Sequence, residues 1–355
     1  MTDTYNQQAM DVAQQLMGAR RARATDRSDV PLEHLLKKTD RAALGVALEW
    51  ERMGSQSVSD QLQARADAIG ATFEHLGLTL GTVVHDVDLR DPSDEVVGLV
   101  HSTLLERKVV FFRDQHLTED DQVALGRRFG ELDAFPFGKP GDDPYILEIG
   151  HGPGSPGYEN GWHTDVTWME QPSLGSIAQL IEAPPSGGDT LFADSHAAYL
   201  GLPAGVREQV DGLSGVHDYR IFLAGRGEAG FDDDIVADVK AAIPFGVTHP
   251  LVRTHPETGK QALYLHGGFL RHDSLFDTTS GEPLGDEASR ALVALLLQQH
   301  ARPEYQCRFE WTVGSIAFWD NRAVQHYAAS DYYPHRRVLR RVTVRGDRPF
   351  HRANA

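Results

Sequence analysis

Apolar and polar positions follow two different periods along the 355-residue chain, and the change falls near residue 70. Residues 4–68 are rich in Ala, Gln, Leu, Arg and Glu and poor in β-branched residues, which favours helix over strand. Helices are predicted at about 5–23 and 32–53, separated by the turn-prone Asp26-Arg27-Ser28-Asp29 before Pro31. The arginines Arg20, Arg21, Arg23 and Arg27 read as a solvated helix end. From Ala71 short apolar runs take over. Residues 79–89 predict a strand, with Val83, Val84 and Val87 around a Gly81 turn. Residues 94–108 repeat Val97, Val100 and Leu104 at helical spacing. Val109-Val110-Phe111-Phe112 reads as a buried strand. Thr118 with Asp121 three positions on is a capping box opening a helix to about residue 129.

Residues 135–161 are rich in Gly and Pro and predict a loop that delivers the chain into a strand at 162–168. Further strands are expected at 176–181, 191–192, 248–253, 262–265, 305–311, 315–319 and 337–345, with helices at 195–200, 204–210 and 286–300. Between 221 and 246, glycines and acids interrupt any period, as expected of a lid or excursion. Many short strands crossed by a few helices predict an antiparallel sandwich or barrel. The expected organisation is a helical extension over residues 1–70 followed by a β domain over 71–355.

Charge and composition narrow the function. A formal net charge of -17 disfavours nucleic acid and acidic membrane surfaces as partners. The single cysteine, Cys307, allows no intrachain disulfide and suits a reducing compartment, so a cytoplasmic location is expected. The first residues lack the basic and apolar regions of a secretory signal, and no apolar stretch approaches bilayer length.

The chemistry centres on Trp162-His163-Thr164-Asp165. On a strand, His163 and Asp165 would share a face, setting an imidazole beside a carboxylate. Alone, such a pair is more often a core histidine tied to a strand carboxylate. With His326 it would complete the two-histidine, one-carboxylate set of non-haem iron(II) oxygenases, although zinc can use the same donors.

Other motifs stand in order around this set: Gly187-Gly188-Asp189-Thr190, the segment from His249-Pro250-Leu251-Val252-Arg253 to Gly259-Lys260, Trp319-Asp320-Asn321-Arg322 ahead of His326, then Arg337, Arg341 and Gly346-Asp347. Over roughly residues 72–352 the chain resembles the taurine dioxygenase (TauD/TfdA) family of iron(II)- and 2-oxoglutarate-dependent oxygenases. The resemblance implies a mainly β fold with flanking helices, a cupin-like double-stranded β-helix or jelly roll. It implies iron(II) on His163, Asp165 and His326, with 2-oxoglutarate and O2 as cosubstrates. Arg337 would pair with the distal carboxylate of 2-oxoglutarate and Thr190 would help hold it. Arg341 would hold an anionic group of a small-molecule substrate. The reaction implied is C–H hydroxylation with release of succinate and CO2, by a homo-oligomer.

Periodicity leaves the facing of the last strand open. Arg337, Leu339 and Arg341 share one face, and the more apolar Val338, Val342 and Val344 share the other. The chain also departs from the taurine pattern: Phe135, Gly138 and Glu159 stand near positions where the taurine-oxidising member has polar contacts. A larger or more apolar anionic substrate is therefore expected, with Phe135, Val166, Tyr219 and Phe269 as pocket walls. Asp320-Asn321-Arg322 reads as a turn fixing a loop before His326. His151, His196, His217, His249, His266 and His272 read as structural or surface groups. Two rivals are a zinc hydrolase or isomerase of cupin-like architecture, which leaves Arg337 without a task, and a ligand-binding barrel without turnover.

Overall fold

The computed structural model describes residues 41–135, 143–157, 159–220, 233–243 and 245–352. The helix expected at 5–23 and the arginine cluster lie outside them. Strands dominate, as expected, with eight α-helices among the described residues. None of these is long and apolar enough to cross a membrane.

The principal sheet comprises β1 (Thr72–His75), β2 (Thr82–His85), β3 (Val109–Phe112), β14 (Ile316–Asp320), β6 (Gly175–Glu182), β16 (Arg337–Val344) and β4 (Leu132–Asp133) in spatial order, with β5 (Leu147–His151) also paired to β16. All its pairings are antiparallel except β2 with β3. A smaller antiparallel sheet, β13 (Gln306–Phe309), β7 (Thr190–Asp194) and β15 (Val324–Ala328), faces it. Strand alternation divides the core between two layers. Val109, Phe111, Ala317, Trp319, Ala178 and Leu180 turn toward Phe192, Phe309 and Val324 of the smaller sheet. Val110, Phe112, Ile316, Phe318 and Ile177 turn the other way, onto helices α2 (Asp60–Ile69) and α3 (Asp94–Arg107).

The same alternation resolves β16. Val342 and Val344 pack outward against Val123 of α4 (Glu119–Arg127), whereas Leu339 joins the inter-sheet core. Arg337 and Arg341 therefore share the inward face with Leu339. The Thr118–Asp121 capping box is present at the start of α4. The sole cysteine, Cys307 on β13, is sealed in the inter-sheet core, and burial pushes its thiol up to about 12. Gly81, at φ 78°, leaves it room: a Cβ there would lie 2.6 Å from Sγ.

The described part of the helical extension is packed onto the barrel. Ala42 of α1 (Arg41–Arg52) joins the core formed by Ala197, Ala198 and Tyr199 of α5 (Ser195–Leu200). A buried charge cluster fastens the same helix. Lys108 Nζ lies 2.9 Å from Glu49 Oε1 and 2.7 Å from Asp194 Oδ2, and Lys260 Nζ is 2.7 Å from Glu49. Burial alone would raise the Glu49 carboxyl, but the charges of Lys108, His196 and Lys260 prevail and hold it at about 2.

Four expectations change, and one strand appears where none was expected. Residues 162–168 form no strand: His163 makes an isolated bridge and a turn follows at once. The expected loop at 135–161 contains β5, and the expected loop before His326 is strand β15. Residues 213–217 form β8 (Leu213–His217), which no period announced. The 221–246 stretch contains helix α7 (Asp233–Ala242), while residues 221–232 lie outside the described residues.

Buried histidines make stability sensitive to acid. Burial pushes His196 and His249 down to about 4 each. The unfolded chain protonates them near 6.5, so it gains protons before the fold does as pH drops. Their contribution is complete above about 6.5 and is lost down to about 4, amounting to roughly 2 kcal/mol per histidine at pH 5. Urea unfolding is expected to show a large loss of stability between pH 7.5 and pH 5; a flat profile would contradict neutral burial.

Candidate active site

His163 and His326 come together through the backbone. They form one hydrogen-bonded antiparallel pair, His163 N donating to His326 O at 3.0 Å and His326 N to His163 O at 2.7 Å. Directly opposed residues project to the same side, and the two imidazole centroids are 4.0 Å apart. Val324 and His326, two apart on β15, share the inward face. The His326 ring rests between Trp319, at 4.8 Å, and Phe192, at 6.1 Å.

Asp165 reaches the pair by a turn rather than by strand alternation. Val166 follows it at φ 46°, a conformation costly for a β-branched residue. The ligand atoms of His163, Asp165 and His326 all lie within 4.8 Å of one another, and they are the only such cluster among the described residues. Asp165 Oδ1 faces His326 Nε2 at 3.8 Å. Its Oδ2 accepts from Ser176 Oγ at 3.1 Å and Asn321 Nδ2 at 3.4 Å, which fixes the carboxylate plane. Burial opposes the charge on Asp165, but Arg341, His326 and His163 hold the carboxyl well below its usual range.

His163 Nδ1 lies 2.7 Å from the Gly161 carbonyl, so it carries the proton and leaves Nε2 as a lone-pair donor. Burial holds His326 far below 6.5, hence neutral, as a metal ligand must be. Two imidazoles and one carboxylate fit a divalent, redox-active metal.

Arg337 and Arg341 line the inward face of β16 on either side of Leu339. Arg341 Nη1 donates to Asp165 Oδ1 at 3.0 Å. Arg337 Nε donates to Gly188 O at 2.8 Å, while its Nη2 is sealed without a partner. A buried, partnerless guanidinium nitrogen fits an incoming carboxylate. Gly188 must be glycine here: its φ is 75°, and a Cβ would lie 2.8 Å from Arg337 Cδ. Thr190 Oγ1 accepts from Trp311 Nε1 at 3.0 Å and keeps its own proton to donate. Trp311 also stands 5.9 Å from the Arg337 guanidinium, with Tyr332 at 5.8 Å.

The four expected pocket walls meet in one apolar cluster. Tyr219 and Phe269 are buried there with Trp168, Val236 and Val239, and Phe135 and Val166 pack against them. Val236 and Val239 come from α7, so that helix closes one side of the cluster. Three residues near the site carried no functional expectation. Trp311 and Asn321 position Thr190 and Asp165, and no spacing links either to its partner in sequence. His266, read above as structural, sits 5.6 Å from the His163 ring.

The model of the taurine catabolism dioxygenase TauD, TfdA family matches residues 72–343. An alpha-ketoglutarate-dependent sulfate ester dioxygenase of Pseudomonas putida is 36% identical over 277 residues, 76% of this chain and 88% of that protein. An alkylsulfatase of Acinetobacter baylyi is 32% identical over 273 residues, 76% of this chain and 83% of its own. Among solved structures, a taurine dioxygenase from Burkholderia xenovorans superposes with a TM-score of 0.65 at 35% identity, covering 79% of this chain and 91% of the other.

Proposed function

The chain belongs to the TauD/TfdA family of iron(II)- and 2-oxoglutarate-dependent dioxygenases, and from that premise we propose how its own residues divide the work. His163, Asp165 and His326 hold iron(II); the observation that carries this assignment is their convergence within 4.8 Å. Arg337 and Thr190 hold the distal carboxylate of 2-oxoglutarate. Arg341 binds the anionic group of the substrate, whose apolar remainder lies against Phe135, Val166, Tyr219 and Phe269. Iron(II) with bound 2-oxoglutarate supplies the dioxygen activation that oxidises a substrate C–H bond and releases succinate and CO2.

The protein's contribution is placement. Ser176 and Asn321 occupy one oxygen of Asp165 and leave the other directed at the histidines. Arg341 lies beside that oxygen, so an anion it binds is held next to the reaction centre. The apolar cluster excludes water from the carbon to be oxidised.

The proposed substrate is an alkyl or aryl compound ending in a sulfate ester, sulfonate or carboxylate. The names of the relatives and the apolar walls support this class over a small zwitterion such as taurine. Hydroxylation at a carbon bearing sulfate or sulfonate would collapse to an aldehyde and release sulfate or sulfite. Cytoplasmic residence and self-association belong to the same proposal.

The test is succinate release by purified protein with iron(II), ascorbate and 2-oxoglutarate across sulfates, sulfonates and carboxylates. Stimulation by none of them, with iron bound, would refute the substrate class. Arg337→Ala is expected to raise the KM for 2-oxoglutarate about 100-fold, the cost of a lost bidentate ion pair, while iron affinity stays within a few fold. Equal loss of both would contradict the assignment.

A further inference from the structure

We propose that His266 is a substrate-binding residue, donating one neutral hydrogen bond from Nε2 to an ester or ether oxygen next to the carbon that reacts. The proposal rests on the substrate class given above and narrows it.

His266 follows β11 (Gln261–Leu263) and opens the turn His266-Gly267-Gly268-Phe269. Its Nδ1 accepts from the backbone N–H of Gly268 at 2.8 Å and of Phe269 at 3.2 Å. A nitrogen that accepts two N–H donors carries no proton, so the neutral ring is protonated at Nε2. The ring packs 3.9 Å from Phe269 and 5.6 Å from His163. Gln325 Nε2 donates to the preceding carbonyl, Leu265 O, at 2.6 Å and ties this turn to the strand bearing His326.

Among the described residues, Nε2 of His266 has no acceptor. Nor is it one of the sealed, partnerless atoms, and the residue keeps 9% of its exposure. A neutral donor thus opens beside the three metal-binding side chains, against an apolar cluster. Such a donor can satisfy an uncharged acceptor without a further charge being desolvated. An ammonium group would set donor against donor. Once Arg341 holds the anion, a sulfate ester offers its bridging oxygen one bond from the reacting carbon, and a sulfonate has carbon there.

Hexyl sulfate and heptane-1-sulfonate isolate this difference, because they have the same length and exchange one oxygen for one methylene. Calorimetric titration without oxygen, in the presence of iron(II) and 2-oxoglutarate, is expected to show about five- to tenfold tighter binding of the sulfate by the unaltered protein. His266→Phe should bring the ratio near one while heptane-1-sulfonate binds within about twofold of before. His266→Asn keeps an N–H donor and should restore part of the preference. An unchanged ratio in His266→Phe, equal weakening toward both compounds, or no preference in the unaltered protein would overturn the role of His266. Binding of neither compound, with iron and 2-oxoglutarate bound, would overturn this proposal and the substrate class together. KM values from succinate release should reproduce the ratios.

Discussion

Asp165→Ala is expected to lower 2-oxoglutarate turnover at least about a thousandfold and to remove tight iron(II) binding. Asp165 is the only carboxylate among the three converging side chains, so its loss removes the sole anionic donor to a divalent ion. The change also strips Arg341 of its 3.0 Å partner, leaving a largely buried cation against two histidines. Residual affinity should therefore fall below that of a simple two-histidine site. Thermal unfolding gives a second measure: iron(II) at 100 times its Kd stabilises the intact protein by about 2.7 kcal/mol, and that shift should vanish in the variant. Retention of the shift, or of a tenth of the activity, would refute the assigned ligand. Ser176→Ala, which removes one of the two donors to Oδ2, should cost far less.

Lys108→Met should destabilise the fold by about 3–5 kcal/mol, the cost of breaking a buried ion pair by removing one partner. Lys108 Nζ is shared between Glu49, Asp194 and the Thr79 carbonyl, with all three side chains almost wholly excluded from solvent. Its removal leaves Glu49 with Lys260 alone and Asp194 with the Thr79 hydroxyl and the backbone N–H groups of His196 and Ala197. Because Glu49 lies on α1 and Asp194 caps α5, the loss should first loosen the packing of α1. Faster amide exchange in residues 41–52 than in β14 would be the sign. Addition of Glu49→Gln should recover part of the lost stability by removing a buried charge that has lost one of its two cationic partners; a further loss of the same size would contradict the pairing.

The site was more legible than the backbone that presents it. Arg337 and Arg341 share a face at any strand period, yet the flanking valines argued for an outward orientation. The outer face of β16 is apolar because it packs under α4, a contact between distant segments that strand periodicity does not encode. His326 was identified, but its strand was not, because Gln325 and His326 are polar at positions the fold buries. Gln325 is accommodated by donating to Leu265 O, a long-range bond. The strand expected at 162–168 failed for the opposite reason. Val166 and Thr167 have strand propensity, and the turn that places Asp165 overrides it, with Val166 held at positive φ. Both misreadings sit within two residues of a proposed ligand. There the backbone is shaped by the requirement to bring side chains together.

The sealed position of Cys307 bears on how such an enzyme ages in air. Iron(II) and ascorbate generate peroxide, which attacks thiolates, and a thiol pushed up to about 12 inside a closed core offers almost none. Oxidative inactivation of this chain should therefore follow the metal, and fresh iron(II) with reductant should restore activity where thiol-protecting agents do not.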